Sequence, residues 1–449
     1  MNALAAARPD GAAARISTAA EATILPVATG LLFYAAVGQG GFYRAQGSIL
    51  AAGLTALALA TIDRAANMAP LFAGMAALAA GALASGAARG WGPNSPQIVA
   101  SLVAAAAVVP VARHLIGSVD RERFLSAIAW IGGGSALVGI AGVALHRSPW
   151  AIRASGLWRS ASTMTYANAA GCLFVLTLGA ALLLLGGRST PSRRTAAFLC
   201  MTGLATTLSR GALVGCVVAV AVLAALRAAA MLRTLLRPAG GAAVAFAGLL
   251  PSIAGTRPQP LLALAGLVAG CAIAVTPGRA RNQARTVAVA LTGIGLLAAL
   301  AASGVLGRVV ERRATLGSET RLRTWGNTLE LALRQPVLGH GPGTFSLVEE
   351  DPRQGPVLTR YVHNEYLQAF YETGLIGVAG VAGAIGVLGA WVWRRRRREP
   401  SWAIACALCA GFAVNSAFDF VWRFPLLVAL VFAWVAVAVT PPPTDEESS

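Results

Sequence analysis

The chain has no lysine, so all 36 of its basic residues are arginines. Charge of either sign is scarce, at 12% of residues, about half the share of an ordinary water-soluble domain. Nor is there a disulfide framework. The six cysteines (Cys172, Cys200, Cys216, Cys271, Cys406 and Cys409) all fall inside apolar runs, where cysteine behaves as a small packing residue. Cys406 and Cys409 share a two-residue spacing but have no partner ligands nearby, which argues for packing over redox or metal chemistry. What abounds is apolar surface: 56% of residues are hydrophobic and the mean hydropathy is +0.66. Apolar runs of roughly 17 to 25 residues can each cross a bilayer, so this is an integral membrane protein. A net charge of +18 and a pI near 11.2 would point to nucleic acid in a soluble chain; here they are read loop by loop, and no nucleic-acid partner is expected.

Fourteen apolar runs are candidate spans: 23–38, 47–62, 68–86, 95–116, 124–145, 166–186, 195–209, 211–230, 239–254, 260–276, 285–306, 374–393, 401–418 and 424–440. Several are short or glycine-rich, so twelve is an alternative count. Unbroken runs of this length exclude the alternating pattern of a transmembrane barrel. The expected fold is an all-α polytopic membrane protein of about 12–14 helices with one long periplasmic loop that contains short helices. Its segments would be a cytoplasmic N-terminal segment 1–22, a helical bundle 23–306, a loop 307–373, further spans 374–440 and a disordered cytoplasmic tail 441–449. No leader cleavage site precedes the first span, which is expected to stay as a permanent helix.

Arginine placement orients the array, because arginine-rich short loops favour the cytoplasm. The rich loops carry Arg113/Arg121/Arg123, Arg188/Arg193/Arg194, Arg227/Arg233/Arg237, Arg279/Arg281/Arg285 and the block Arg394 to Arg398. With both termini inside, 20 arginines fall on cytoplasmic segments, 8 on short external loops and 8 on the long insertion. The insertion should therefore face outward, into the periplasm of a bacterium.

That insertion concentrates polar chemistry. From Ser318 to Arg334, Leu322, Trp325, Leu329 and Leu333 recur at helical spacing behind a capping serine, giving an amphipathic helix that stops before Pro336. Its apolar stripe could lie on the membrane surface or on the bundle. Gly339-His340-Gly-Pro-Gly-Thr-Phe345 is a tight turn whose amides could face an anion, or simply a structural turn. It lacks the preceding strand and the Lys-Ser/Thr of a nucleotide loop. A second helix is expected from near His363 into the next span, with a break at Gly374, and its spacing places His363, Leu367 and Phe370 on one face. His363, beside Asn364 and Glu365, reads either as a structural histidine or as a general base. Arg210, in the short Ser209-Arg210-Gly211 turn, either snorkels to lipid headgroups or holds a lipid phosphate.

In order along the chain stand Thr165-Tyr-Ala-Asn168, Leu208-Ser-Arg210-Gly-Ala-Leu, Arg321-Leu-Arg-Thr-Trp325 with Pro336-Val-Leu-Gly-His-Gly-Pro-Gly-Thr-Phe345, and His363-Asn-Glu-Tyr-Leu-Gln with Glu372-Thr-Gly, followed by Asp419-Phe. This combination resembles the O-antigen ligase and polymerase superfamily of bacterial membrane glycosyltransferases. The resemblance implies an undecaprenyl-pyrophosphate-linked glycan donor and an acceptor that is either lipid A-core or another glycan, handled in the bacterial inner membrane at its outer leaflet without nucleotide, metal or other cofactor. By matched position, Arg210 and Arg321 would hold pyrophosphate and His363 would activate the acceptor hydroxyl. Arg323, Asn364 and His340 would be secondary substrate contacts, and Asp419 an orienting group. Ligase and polymerase differ only in acceptor, and transfer to protein is a third variant. A solute or anion transporter is the reading from another class, but it calls for charge at the bilayer midplane, whereas these arginines sit at span ends. A nonenzymatic assembly scaffold is the remaining alternative.

Overall fold

The computed structural model describes residues 11–62, 68–276, 319–351, 355–397 and 399–441. Among them are fourteen α-helices and two β-hairpins. In order these are α1 (Gly11–Val37), α2 (Arg44–Thr61), α3 (Ala69–Arg89), α4 (Ser95–Ile116), α5 (Arg121–Leu145), β1 (Ala151–Ala154), β2 (Leu157–Ser160), α6 (Ala167–Gly187), α7 (Pro191–Thr207), α8 (Arg210–Ala225), α9 (Leu236–Ala254) and α10 (Pro260–Val275). After them come α11 (Glu319–Arg334), β3 (Leu347–Asp351), β4 (Gly355–Thr359), α12 (Glu365–Arg394), α13 (Pro400–Ser416) and α14 (Pro425–Val439).

Thirteen of the expected spans each coincide with one of these helices. The run 285–306, the loop with Arg279, Arg281 and Arg285, the cap Ser318 and the tail beyond Pro441 lie outside the described residues. Among the described residues, α3, α4, α5, α6, α12 and the segment Ala229–Ala254 are long and apolar enough to cross a membrane. The chain is an all-α polytopic membrane protein. The sequence reading did not foresee the hairpins, β1–β2 before α6 and β3–β4 within the long insertion. Both are short ribbons that turn the chain between helices.

Position in the bundle follows from which faces are apolar. α6 and α14 are buried nearly all round, and Leu173, Phe174, Leu426, Leu427 and Leu430 have no more than 1% of their surface exposed. Around them, α10 and α12 leave Leu261, Leu264, Val268 and Ile385 exposed, which suits helices that meet lipid on one side. Small residues permit close crossings: Gly81 on α3 lies against Gly377 on α12, and Gly215 on α8 against Gly411 on α13. Buried threonines such as Thr177, Thr202 and Thr206 return their hydroxyls to carbonyls one turn back, so no polar group on them faces hydrocarbon unsatisfied.

Candidate active site

Four chain connections at one end of the bundle converge on a single carboxylate. The first is the turn between α7 and α8. Leu208 adopts a left-handed φ of 50°, and the Ser209 hydroxyl accepts from the Ala212 amide at 3.3 Å as an N-cap. So short a link leaves Arg210 on the first turn of α8, at the positive end of that helix. The second is hairpin β1–β2, which carries buried Arg159; its Nε donates to the Thr207 carbonyl and its Nη2 to Asn168 Oδ1, both at 2.8 Å. Tyr166 and Asn168 open α6 beside it.

The third is the start of α11, where Arg321 Nη1 donates to the Phe418 carbonyl at 2.9 Å. The fourth is the loop between α13 and α14, which carries Asp419 with 1% exposure. Asp419 Oδ1 accepts from the Phe420 amide at 2.9 Å and the Tyr166 hydroxyl at 2.8 Å, and lies 3.1 Å from His363 Nδ1. Its Oδ2 accepts from Asn168 Nδ2 and pairs with Arg321 Nη2 at 3.6 Å. Burial by itself raises this carboxyl's pKa; the charge and hydrogen bond of His363, then Arg321 and the Tyr166 hydroxyl, outweigh it and hold the group down at about 2. Asp419 is therefore an anion at every physiological pH.

Arg159, Arg210 and Arg321 line one small pocket together with Asn168, Leu208, Gly211, Phe418 and Asp419. Three guanidiniums face one carboxylate there, and Arg210 and Arg321 are close enough to feel each other's charge. An anion bound among them would relieve that repulsion. His363 does not line the pocket itself; it is joined to it through Asp419, its ring edge-on to Phe420 at 5.1 Å. It precedes α12 with φ 57°, so it does not share a helical face with Leu367 and Phe370 as its spacing suggested.

The other expected contacts lie elsewhere. Arg323 pairs at 3.9 Å with Glu349 of β3, which also accepts from the Thr324 hydroxyl at 2.6 Å. Asn364 caps α12, its Oδ1 accepting from the Leu367 amide at 3.1 Å. His340 stacks on Tyr371 at 4.3 Å, and the amides of His340 and Gly341 donate to the carbonyls of Tyr371 and Glu372. Those amides are spent inside the turn rather than turned to an anion. Gly339, with φ 65°, leaves no room for a side chain against Glu372, and Gly374 breaks α12 with φ 63° where this turn docks. A helix starting near His363, at Glu365, and its break at Gly374 match the sequence reading.

Sequence reasoning passed over Arg159, one of three arginines, with Arg147 and Arg153, in the segment between α5 and α6. Its one signal is proximity to the Thr165-to-Asn168 motif. It also passed over Arg423, buried between Glu372 at 2.9 Å and Glu365 at 3.7 Å. Glu365 accepts from the Trp422 amide at 2.7 Å, so the stretch carrying His363 is fastened to the loop carrying Asp419 at a second point. Removing one member of so buried a cluster costs about 3–5 kcal/mol, because polar partners are left buried without compensation.

Fold and site together define a membrane-spanning helical protein with a cationic pocket beside an imidazole–carboxylate pair. The O-antigen ligase family model matches residues 195–382, a stretch of under half the chain, and that match supports membership of the O-antigen ligase and polymerase family. The matched span contains Arg210, Arg321, His340, His363 and Asn364, while Arg159, Asn168 and Asp419 lie outside it. No curated protein matches the chain. With the apolar helices, the family match supports a multi-pass bacterial membrane protein with an O-antigen ligase- or polymerase-type role in polysaccharide assembly.

Proposed function

We propose that this protein is an O-antigen ligase-like glycosyltransferase that moves a glycan from undecaprenyl pyrophosphate to an acceptor hydroxyl at the periplasmic face of the inner membrane. The observation that carries this reading is the pocket in which Arg159, Arg210 and Arg321 surround a single carboxylate, Asp419, that also touches His363. A pyrophosphate leaving group develops negative charge as the glycosidic bond breaks, and fixed guanidiniums stabilise that charge in a partly dry site. Asp419, ionised, accepts a hydrogen bond from the Nδ1–H of His363, which keeps that proton and leaves Nε2 as the basic nitrogen. Nε2 takes the acceptor's proton as its oxygen attacks the anomeric carbon; the carbon–oxygen bond to pyrophosphate breaks and the leaving group departs with the electron pair. Direct attack inverts the anomeric configuration. No metal or other cofactor takes part in this scheme.

A lipid A-core acceptor makes the protein a ligase, and another glycan repeat a polymerase; the donor half of the site serves both. The excess of arginines on the opposite, arginine-rich end supports the outward orientation. A reporter fused at Gln354 should be active on the periplasmic side, and activity in the cytoplasm alone would reverse it. In liposomes, the purified protein should transfer glycan from a lipid-pyrophosphate donor without added metal. Solute uptake with no transfer would instead identify a transporter.

A further inference from the structure

We infer that α11 is an interfacial helix, seated by one edge in the leaflet on the site's side of the membrane. Three sectors run along it. Thr324, Thr328 and Ala332 form the inner sector, buried against the rest of the insertion, and Trp325 beside them donates its indole N–H to the Val362 carbonyl at 2.9 Å. Leu322, Gly326, Leu329 and Leu333 form a second, recurring at spacings of four, three and four; the three leucines are exposed by 60%, 45% and 60%. Arg323, Asn327, Glu330 and Arg334 form a third, displaced by one residue and also exposed. At about 100° per residue the sectors follow one another around the axis as protein-facing, apolar and polar. A helix on top of the bundle in water needs only two of them. A helix lying at a membrane boundary against a protein needs all three.

Continuity with the membrane surface identifies the occupant as lipid. The apolar edge runs on to Val337, which is 56% exposed, and there the chain is stitched to the membrane-spanning stretch of α12: Leu375 donates to the Pro336 carbonyl at 2.7 Å and Ile376 to the Val337 carbonyl at 3.3 Å. Leu375 and Ile376 are themselves exposed and begin α12's lipid-facing surface. One apolar band therefore leads from a transmembrane helix onto α11 without interruption. On its water side, Arg323 pairs with Glu349 at 3.9 Å and Arg334 with Glu330 at 2.8 Å, an ion-paired face suited to the aqueous boundary. The seating fixes the height of the first turn of α11, and with it Arg321. Its bearing on catalysis rests on the transferase reading: a lipid-linked pyrophosphate would meet Arg321 by moving within the leaflet.

The test uses the full chain in vesicles of phosphatidylethanolamine and phosphatidylglycerol, with p-benzoylphenylalanine replacing Leu329, Leu333, Asn327 or Glu330 singly, followed by irradiation. Phospholipid adducts are expected from positions 329 and 333, with the adduct lost at 327 and 330. Equal yield at all four, no adduct at 329 and 333, or protein–protein adducts there would overturn the proposal, the last pointing to a second copy as the occupant. Cross-linking requires no turnover, so the seating can fail while the roles of His363 and Arg210 stand, and the reverse.

Discussion

The two ends of the bundle put the same residue type to different uses. At the arginine-rich end, Arg193 meets the largely exposed Glu122 at 2.6 Å, Arg194 and Arg237 donate to the Thr276 carbonyl, and Arg113 lies over the Trp391 ring at 6.0 Å. These partners are neutral or solvent-exposed groups, and none of them is a buried carboxylate. At the other end, Arg159, Arg210 and Arg321 converge on one pocket with one buried carboxylate among them. Arginine in the first setting fixes orientation and helix ends; in the second it leaves positive charge concentrated for a ligand. Position in the chain and headcount do not separate the two. Convergence does.

Substitutions at the two ends sharpen this contrast. The largest loss is expected from His363→Ala, about 10²- to 10⁴-fold in transfer rate with membrane abundance near normal, because the general base is removed without disturbing the bundle. Full activity would remove His363 from the chemistry. Arg210→Ala should follow, at about 10²- to 10³-fold, as loss of one preorganised donor to the leaving group. Asp419→Asn should lower transfer by roughly tenfold or more by releasing the His363 tautomer and the Arg321 pairing. The same variant should flatten acid unfolding. The Asp419 pKa is depressed from 3.8 to about 2, so its stabilising contribution is present above the ordinary carboxylate range and vanishes as pH falls through that window. A melting curve for Asp419→Asn with an unchanged acid slope would contradict this. Arg321→Lys keeps the charge but loses the planar fork, and a fall of roughly tenfold is expected. Smallest of all is Arg194→Ala at the opposite end, where transfer by correctly inserted protein should change by less than about twofold.

Most of the fold was legible because a bilayer imposes one length and one composition on every span, and both are local properties. The hairpins were not, since strands of four or five residues carry too little periodicity to stand out beside helices of about twenty. At the site, Arg210 could be picked out because its turn is too short to hide a charge. Arg321 and His363 emerged from the same polar insertion. Arg159 could not, as its significance comes only from a carbonyl at Thr207 and an amide at Asn168, contacts that tertiary packing creates. The secondary contacts show the opposite limit. Asn364 and His340 sit in motifs beside chemistry-bearing residues, yet one caps a helix and the other stacks on Tyr371, because a motif also includes the scaffold that holds its reactive member in place. Arg323 lies two residues from Arg321, and on a helix that separation turns the side chain to another face, toward Glu349.

The most direct measurement is an experimental structure of the protein in lipid with an undecaprenyl-pyrophosphate donor bound. Phosphate oxygens within hydrogen-bonding distance of Arg210 and Arg321, and the anomeric carbon on the His363 side of Asp419, are the expected result. Pyrophosphate seated away from that pocket, with those two guanidiniums untouched, would contradict the account.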